Sequence, residues 1–155
     1  MGFLELFRRA QAAADDLQRC NDRISELRET LALHGHSGGP HVSGGSVHDV
    51  MAPVDALLDK ELSMRERAAS ECECWLDAAW DAVELVSTDW SDAAAQALTM
   101  HYLMGETWDS VAASLNRRSR TTVWELVCAA IDWLDSVAVV DMDKDGAPHV
   151  RALAG

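Results

Sequence analysis

Two long stretches of the sequence carry core-type residues at alternating steps of three and four positions. Over residues 3–34 these positions are Phe3, Phe7, Ala10, Ala14 and Leu17 and, after a phase slip, Cys20, Ile24, Leu27, Leu31 and His34. In the second stretch they are Met51, Val54, Leu58 and Leu62, then Ala69, Cys72, Leu76, Ala79, Val83 and Val86, with Arg65 as an interruption. Such steps give a period near 3.5 residues, which is typical of a coiled-coil seam. The pattern therefore predicts two long amphipathic helices.

The segment between the two stretches is rich in glycine. Residues 35–48, GHSGGPHVSGGSVH, contain five glycines and one proline, and both residue types disfavour helix. We expect a flexible linker there, with Asp49 near the cap of the second helix and Pro53 in its first turn. Residues 1–87 are then predicted to form an antiparallel helical hairpin. Apolar area that two helices cannot cover would pair with another copy, so a homodimer is a candidate assembly.

From Asp89 onward the predicted helices are shorter. They span 90–103, 108–115 and 119–137, so we assign residues 88–137 to a separate helix-turn-helix domain. In the tail, residues 138–155, apolar runs flank an Asp-Gly turn signal at Asp145-Gly146, which predicts a short β-hairpin or an extended segment. The predicted fold class is all-α: a long antiparallel hairpin, a helix-turn-helix and a short C-terminal tail.

The helix-turn-helix prediction depends on the residues around a short turn. Its first helix carries Trp108, Val111, Ala112 and Leu115 on one face, and its second carries Val123, Trp124, Val127, Ala130, Ile131 and Leu134 facing inward. Ala112 is small enough for two helices to cross closely. Asn116 suits the left-handed turn position that glycine often fills, and Ser119 or Arg120 opens the second helix.

The start of that second helix is the candidate binding site. Three arginines within four positions are the only basic residues between positions 68 and 143, and hydroxyl side chains accompany them. The candidate DNA-contacting residues are Arg117, Arg118, Ser119, Arg120, Thr121 and Thr122. In a recognition helix the first turns contact base edges, and the positive end of the helix dipole favours phosphate. We expect double-stranded DNA as the partner; a solubilising charge cluster or a protein partner are the alternatives.

The same residues resemble a known family. The segments Ala97–Tyr102, Gly105–Trp108 and Val111-Ala112, continued by Ser119–Val123 and Ala129–Leu134, look like the region-4 helix-turn-helix of sigma-70 factors. The closer resemblance is to a phage and prophage family related to the ArpU-like and RinA-like late-gene activators. The resemblance implies a phage-encoded DNA-binding transcription regulator, with RNA polymerase as a further candidate partner. Glu125 departs from it, because family members often carry a basic residue there.

The overall charge favours a second hypothesis. The chain has 13 basic and 26 acidic residues and a formal net charge of -13. Even residues 87–136 hold three basic against seven acidic residues, which opposes the approach of DNA. An acidic phage protein that mimics nucleic acid and inhibits a host nuclease, in the manner of an anti-CRISPR or anti-restriction protein, is the alternative function. Its acidic residues would be those of the second long helix: Asp55, Asp59, Glu61, Glu66, Glu71, Glu73, Asp77, Asp81 and Glu84. A small-terminase-like packaging protein is a third possibility.

Catalytic and metal-binding patterns are weak in this sequence. No Ser-His-Asp set, phosphate-binding glycine motif or paired catalytic carboxylates stand out, so we predict neither enzymatic activity nor a cofactor. Asp141, Asp143, Asp145 and Gly146 match only half of a calcium loop, and His34, His36, His41 and His48 lie in or beside the linker, so no metal site is predicted. Without a signal peptide or an apolar run long enough to span a bilayer, we expect a cytoplasmic protein that does not enter the membrane.

Overall fold

The computed structural model describes residues 1–37, 46–116 and 119–154. The helices are α1 (Phe3–Ser37), α2 (Ser46–Asp89), α3 (Asp92–Leu98), α4 (Trp108–Ser114) and α5 (Arg120–Val137), and a π-helical segment (Thr99–Leu103) continues α3. The strands are β1 (Ala138–Met142) and β2 (Pro148–Ala152), which pair in antiparallel orientation. The predicted all-α class with a short C-terminal β-hairpin is confirmed.

The ends of the two long helices differ from the prediction. α1 continues to Ser37 and α2 already begins at Ser46, so six of the fourteen residues of the predicted linker 35–48 are helical. His36 and His48 therefore lie in helices, while His41 lies outside the described residues. Pro53 lies inside α2 and not in its first turn, at the cost of one backbone hydrogen bond. A single glycine such as Gly35 costs only about 1 kcal/mol in a helix, which is too little to end α1.

The chain divides into two compact units, and this division does not follow the predicted domains. One unit, called here the hairpin unit, is Asp15–Ser70; the other, the helix-turn-helix unit, combines Met1–Ala14 with Glu71–Gly155. In the hairpin unit, Arg23 Nε lies 3.3 Å from Glu61 Oε2. Because the two residues lie at similar distances from the connection between α1 and α2, the helices run antiparallel. Cys20 and Ile24 of α1 are buried in this unit.

The helix-turn-helix unit has its core where α1, α2 and the shorter helices meet. The first turns of α1 contribute Phe3, Leu6, Phe7 and Ala10, and α2 contributes Cys72, Trp75, Ala78, Ala79, Ala82, Val83 and Val86, all buried. α3 adds Ala94, Ala95, Ala97 and Leu98. Most of these α2 and α3 residues are small. The start of α1 is tied to α5 as well, since the Phe3 backbone N–H donates to Asp135 Oδ1 at 3.0 Å.

The β-hairpin closes through an aspartate-capped turn. Asp143 Oδ1 accepts hydrogen bonds from the backbone N–H of Asp145 at 2.8 Å and of Ala147 at 2.9 Å. Gly146 adopts φ of 81°, a conformation that favours glycine. Across the strands, Arg151 Nε lies 2.6 Å from Asp141 Oδ2. The Asp-Gly signal therefore predicted a hairpin correctly, and two of the carboxylates in the calcium-like pattern hold the hairpin together.

None of the helices in the described parts of the chain combines the length and the hydropathy needed to cross a bilayer.

Candidate nucleic-acid interface

The candidate site is built on α4, a tight turn and α5. Thr107 caps α4, with its side-chain oxygen accepting from the Ser110 N–H at 3.2 Å, and Ser119 caps α5 by accepting from the Thr122 N–H at 3.4 Å. Between the helices, Asn116 adopts φ of 54°. Asparagine tolerates this left-handed conformation better than most residues, which is why the chain can turn here without glycine. The predicted turn residue and the predicted start of α5 are confirmed.

A small apolar core fixes the angle between α4 and α5. Val111 and Ala112 of α4 and Val123 and Val127 of α5 are all buried. Ala112 carries only a methyl group, so α5 can lie close to the backbone of α4. The outer face of α5 is thus presented on a rigid support.

Trp124 is not in this core, and the prediction that it faces inward is wrong. Its side chain is 41% exposed. Adjacent residues of an α-helix point about 100° apart, so Val123 and Trp124 cannot both face the centre of the core. Val123 occupies the core, and the Trp124 indole lies edge-to-face with Trp108 of α4, with ring centroids 5.4 Å apart.

The structure separates the six predicted DNA-contacting residues into three groups. Arg120 and Thr121 are exposed, and within the described residues neither forms a side-chain hydrogen bond or an ion pair. Ser119 and Thr122 are also exposed, but their hydroxyl oxygens lie 3.2 Å apart, so both belong to the cap of α5. Arg117 and Arg118 lie outside the described residues. Among the residues of this site that the structure describes, the basic side chain that faces solvent is therefore that of Arg120.

A chain of five aromatic rings runs from the exposed Trp124 to the buried Phe7, and we call it the aromatic ladder. Its rings are those of Trp124, Trp108, His101, Tyr102 and Phe7. His101 stacks on Trp108 with centroids 3.6 Å apart, and Tyr102 stacks on Phe7 of α1 at 5.5 Å. Such contacts orient the rings beyond what burial alone achieves. Trp124 is thus connected by ring contacts to the interior of the unit.

His101 holds the middle of the aromatic ladder as a neutral ring. It lies in the π-helical segment, which ends with the Met104 N–H donating to the Thr99 carbonyl at 2.9 Å. The Nδ1 atom of His101 lies 2.7 Å from the carbonyl oxygen of Glu106, so Nδ1 carries the proton that is donated. Burial lowers the pKa of His101, against a smaller opposing effect of this hydrogen bond. The ring is therefore uncharged at neutral pH and stacks on Trp108 without the desolvation cost of an imidazolium.

Both helices of the candidate site carry carboxylates. Asp109 in the first turn of α4 and Glu125 on α5 are exposed, and Glu106 accepts a hydrogen bond from the Ser110 hydroxyl at 3.0 Å. Glu106 and Asp109 stabilise α4 because they lie near the positive end of its dipole. The same charges repel phosphate, so they limit the affinity of this surface for any nucleic acid.

The four cysteines are free thiols. Cys20 and Cys72 are buried, as expected for thiols that pack as small apolar side chains, whereas Cys74 and Cys128 are partly exposed. Burial raises the pKa of the Cys72 thiol, which keeps it protonated and unreactive.

Sequence reasoning missed two residues of this site, Trp124 and His101. A usable signal for Trp124 was its position directly after Val123 and four residues after Arg120, which places it beside the arginine and away from the core centre. The role of His101 depends on a contact with Trp108 across a turn, and helical periodicity cannot reveal such a contact. Comparison of the chain with family models, with curated protein sequences and with solved structures gives no match.

Proposed function

We propose that this protein is a DNA-binding transcription regulator of the phage type, acting in the cytoplasm of a bacterial host without enzymatic activity. The observation that carries the proposal is the geometry of α4, the Asn116 turn and α5, with Arg120 and Thr121 exposed at the start of α5. In a helix-turn-helix protein this part of the second helix enters the major groove. The residues that resemble sigma-70 region 4 lie in the same segment.

The proposed DNA contacts are of two kinds, contacts with bases and contacts with phosphates. Arg120 is suited to a bidentate contact with the N7 and O6 atoms of guanine, and Thr121 lies beside it in the first turn of α5. Arg117 and Arg118 precede the cap residue Ser119 in the sequence, where basic side chains of a helix-turn-helix contact phosphates. RNA polymerase is a further partner in this proposal, since an activator of late genes acts through the polymerase.

The test is duplex binding by the full chain as a function of salt. We expect fluorescence anisotropy to detect binding to duplexes selected from a randomised pool. Changing Arg117, Arg118 and Arg120 together to Ala should reduce the slope of log K against log salt by about 0.9 for each lost phosphate contact.

A matched control removes three exposed arginines from the hairpin unit, Arg19, Arg28 and Arg67, and changes the net charge equally. We expect this control to retain most of the binding. Equal losses in the two triple variants would show that only net charge matters, and would contradict the proposed surface.

A specific observation also favours the second candidate function, an acidic protein that binds a basic channel of a host nuclease. Glu73, Asp77, Asp81 and Glu84 are exposed along α2, and no basic residue occurs in the sequence between Arg67 and Arg117. Like charges four residues apart destabilise an isolated helix by about 0.2–0.5 kcal/mol per pair. Glu73, Asp77 and Asp81 form two such pairs, so this acidic face is kept at a cost to stability.

The two candidate functions predict opposite partners. The acidic-inhibitor hypothesis predicts that the protein binds host restriction or CRISPR nucleases at low salt. It also predicts that this binding is weakened when Asp77, Asp81 and Glu84 are changed to Lys. Binding to duplex DNA that depends on Arg120 would support the regulator.

A further inference from the structure

Trp124 is the large apolar side chain that α5 leaves in solvent. The core residues of this helix, Val123, Val127, Ala130, Ile131 and Leu134, are at most 6% exposed, whereas Trp124 is 41% exposed. The helix therefore has a complete buried face without this residue. Large exposed aromatic side chains are enriched at the centres of binding surfaces, because they bury much area and lose little conformational entropy.

The indole has an aromatic support on its inner side. Its contact with the edge of Trp108 is backed by the stack of Trp108 on His101, and His101 is fixed by its hydrogen bond to the Glu106 carbonyl. A side chain ordered in this way costs little entropy to immobilise on binding. The contact with Trp108 thus supports the Trp124 indole on one side and leaves the rest of it exposed.

Trp124 lies on the same side of α5 as Arg120, one helical turn further on. Four residues advance about 6 Å along the helix, and neighbouring base pairs are about 3.4 Å apart. Side chains at these two positions therefore reach bases that are one or two base pairs apart. Within the major groove the exposed apolar group is the C5-methyl of thymine.

We propose that Trp124 is a specificity-determining residue that contacts a thymine methyl group in the major groove, one or two base pairs from a guanine contacted by Arg120. This inference rests on the proposed DNA-binding function and names the bases that the same surface recognises. Arg120 supplies charge and a bidentate contact, while Trp124 supplies discrimination that does not depend on charge.

The experiment begins with selection of duplexes from a randomised pool by the full-length wild-type protein. We expect the enriched sequences to share a guanine and a thymine separated by one or two base-pair steps. Each thymine of the enriched duplex is then replaced by uracil, which removes only the methyl group. One replacement should weaken wild-type binding about five- to tenfold, at the lower end of the range for a single base contact.

Three variants complete the test. Trp124→Ala should bind the thymine and uracil duplexes equally. If this variant has a lowered Tm, Trp124→Gln takes its place, because it keeps a longer side chain at this position. It should also bind the two duplexes equally. Trp80→Ala is the matched control, because Trp80 is a tryptophan of similar exposure, 49%, that lies on α2 and not on α5. We expect the control to keep the wild-type preference for thymine.

The possible results separate this inference from the proposed function. Wild-type protein that binds no duplex overturns both. Wild-type protein that binds duplex DNA through Arg120, but does not distinguish thymine from uracil, overturns only the role of Trp124. A thymine preference that persists in Trp124→Ala and Trp124→Gln overturns it equally.

Discussion

Replacing Phe7 by Ala tests whether the first turns of α1 are part of the helix-turn-helix unit. Phe7 is fully buried and stacks on Tyr102 at a centroid distance of 5.5 Å, and Tyr102 in turn contacts the rings of His101 and Trp108. Truncation of a buried Phe to Ala typically costs about 3–5 kcal/mol, since apolar contacts are lost and a cavity remains. A domain of this size is stable by only about 5–15 kcal/mol, so Phe7→Ala removes a large share of that stability.

The measurement is urea unfolding followed by tryptophan fluorescence and by far-ultraviolet circular dichroism. Leu33→Ala serves as the control, because Leu33 is 73% exposed at the other end of the same helix and should change the free energy of unfolding by no more than about 0.5 kcal/mol. A loss below about 1 kcal/mol for Phe7→Ala would refute the reasoning. It would mean that the segment 88–137 keeps its core without α1, as the domain boundaries predicted from the sequence imply.

Three further predictions concern the turn, the histidine and the β-hairpin. Asn116→Ala should lower the free energy of unfolding by about 1 kcal/mol in a urea titration, because Ala disfavours a φ of 54°, and Asn116→Gly should not. The depressed pKa of His101 means that the unfolded chain binds its proton first, so stability present above pH 6.5 is lost as the pH falls through the lower folded-state pKa. His101→Phe should therefore show a smaller loss of Tm between pH 7 and pH 5 than wild type; equal losses would contradict this assignment. Hydrogen bonds from the Ala147 N–H and His149 lower the pKa of Asp143. Acidification below that pKa, or Asp143→Asn at neutral pH, should therefore lower the protection factors of the amides in β1 and β2, which are exchange rates corrected for the intrinsic effect of pH. Unchanged protection factors would show that the turn does not depend on this carboxylate.

Several local features of the fold were predictable because they depend on nearest neighbours in the sequence. The 3.5-residue spacing predicted α1 and α2, Asn116 predicted a left-handed turn, and Asp145-Gly146 predicted the hairpin between β1 and β2. Ser119 was correctly placed at the start of α5, because a hydroxyl before a helix can accept its free N–H groups.

The sequence by itself determined that α1, α2, α4 and α5 exist, where the chain turns before α5 and between the strands, and how acidic the chain is, since these properties depend on side-chain type and on spacing within one segment. It did not determine where α1 ends and α2 begins. Tertiary structure decided which apolar residues are buried. Periodicity gave Val123 and Trp124 the same apolar label, but only the packing of α4 against α5 placed Val123 in the core and Trp124 in solvent. The tertiary structure likewise brought Phe7 into contact with Tyr102, although the two residues are far apart in the sequence. Burial depends on which surfaces meet and not on the order in which residues are joined.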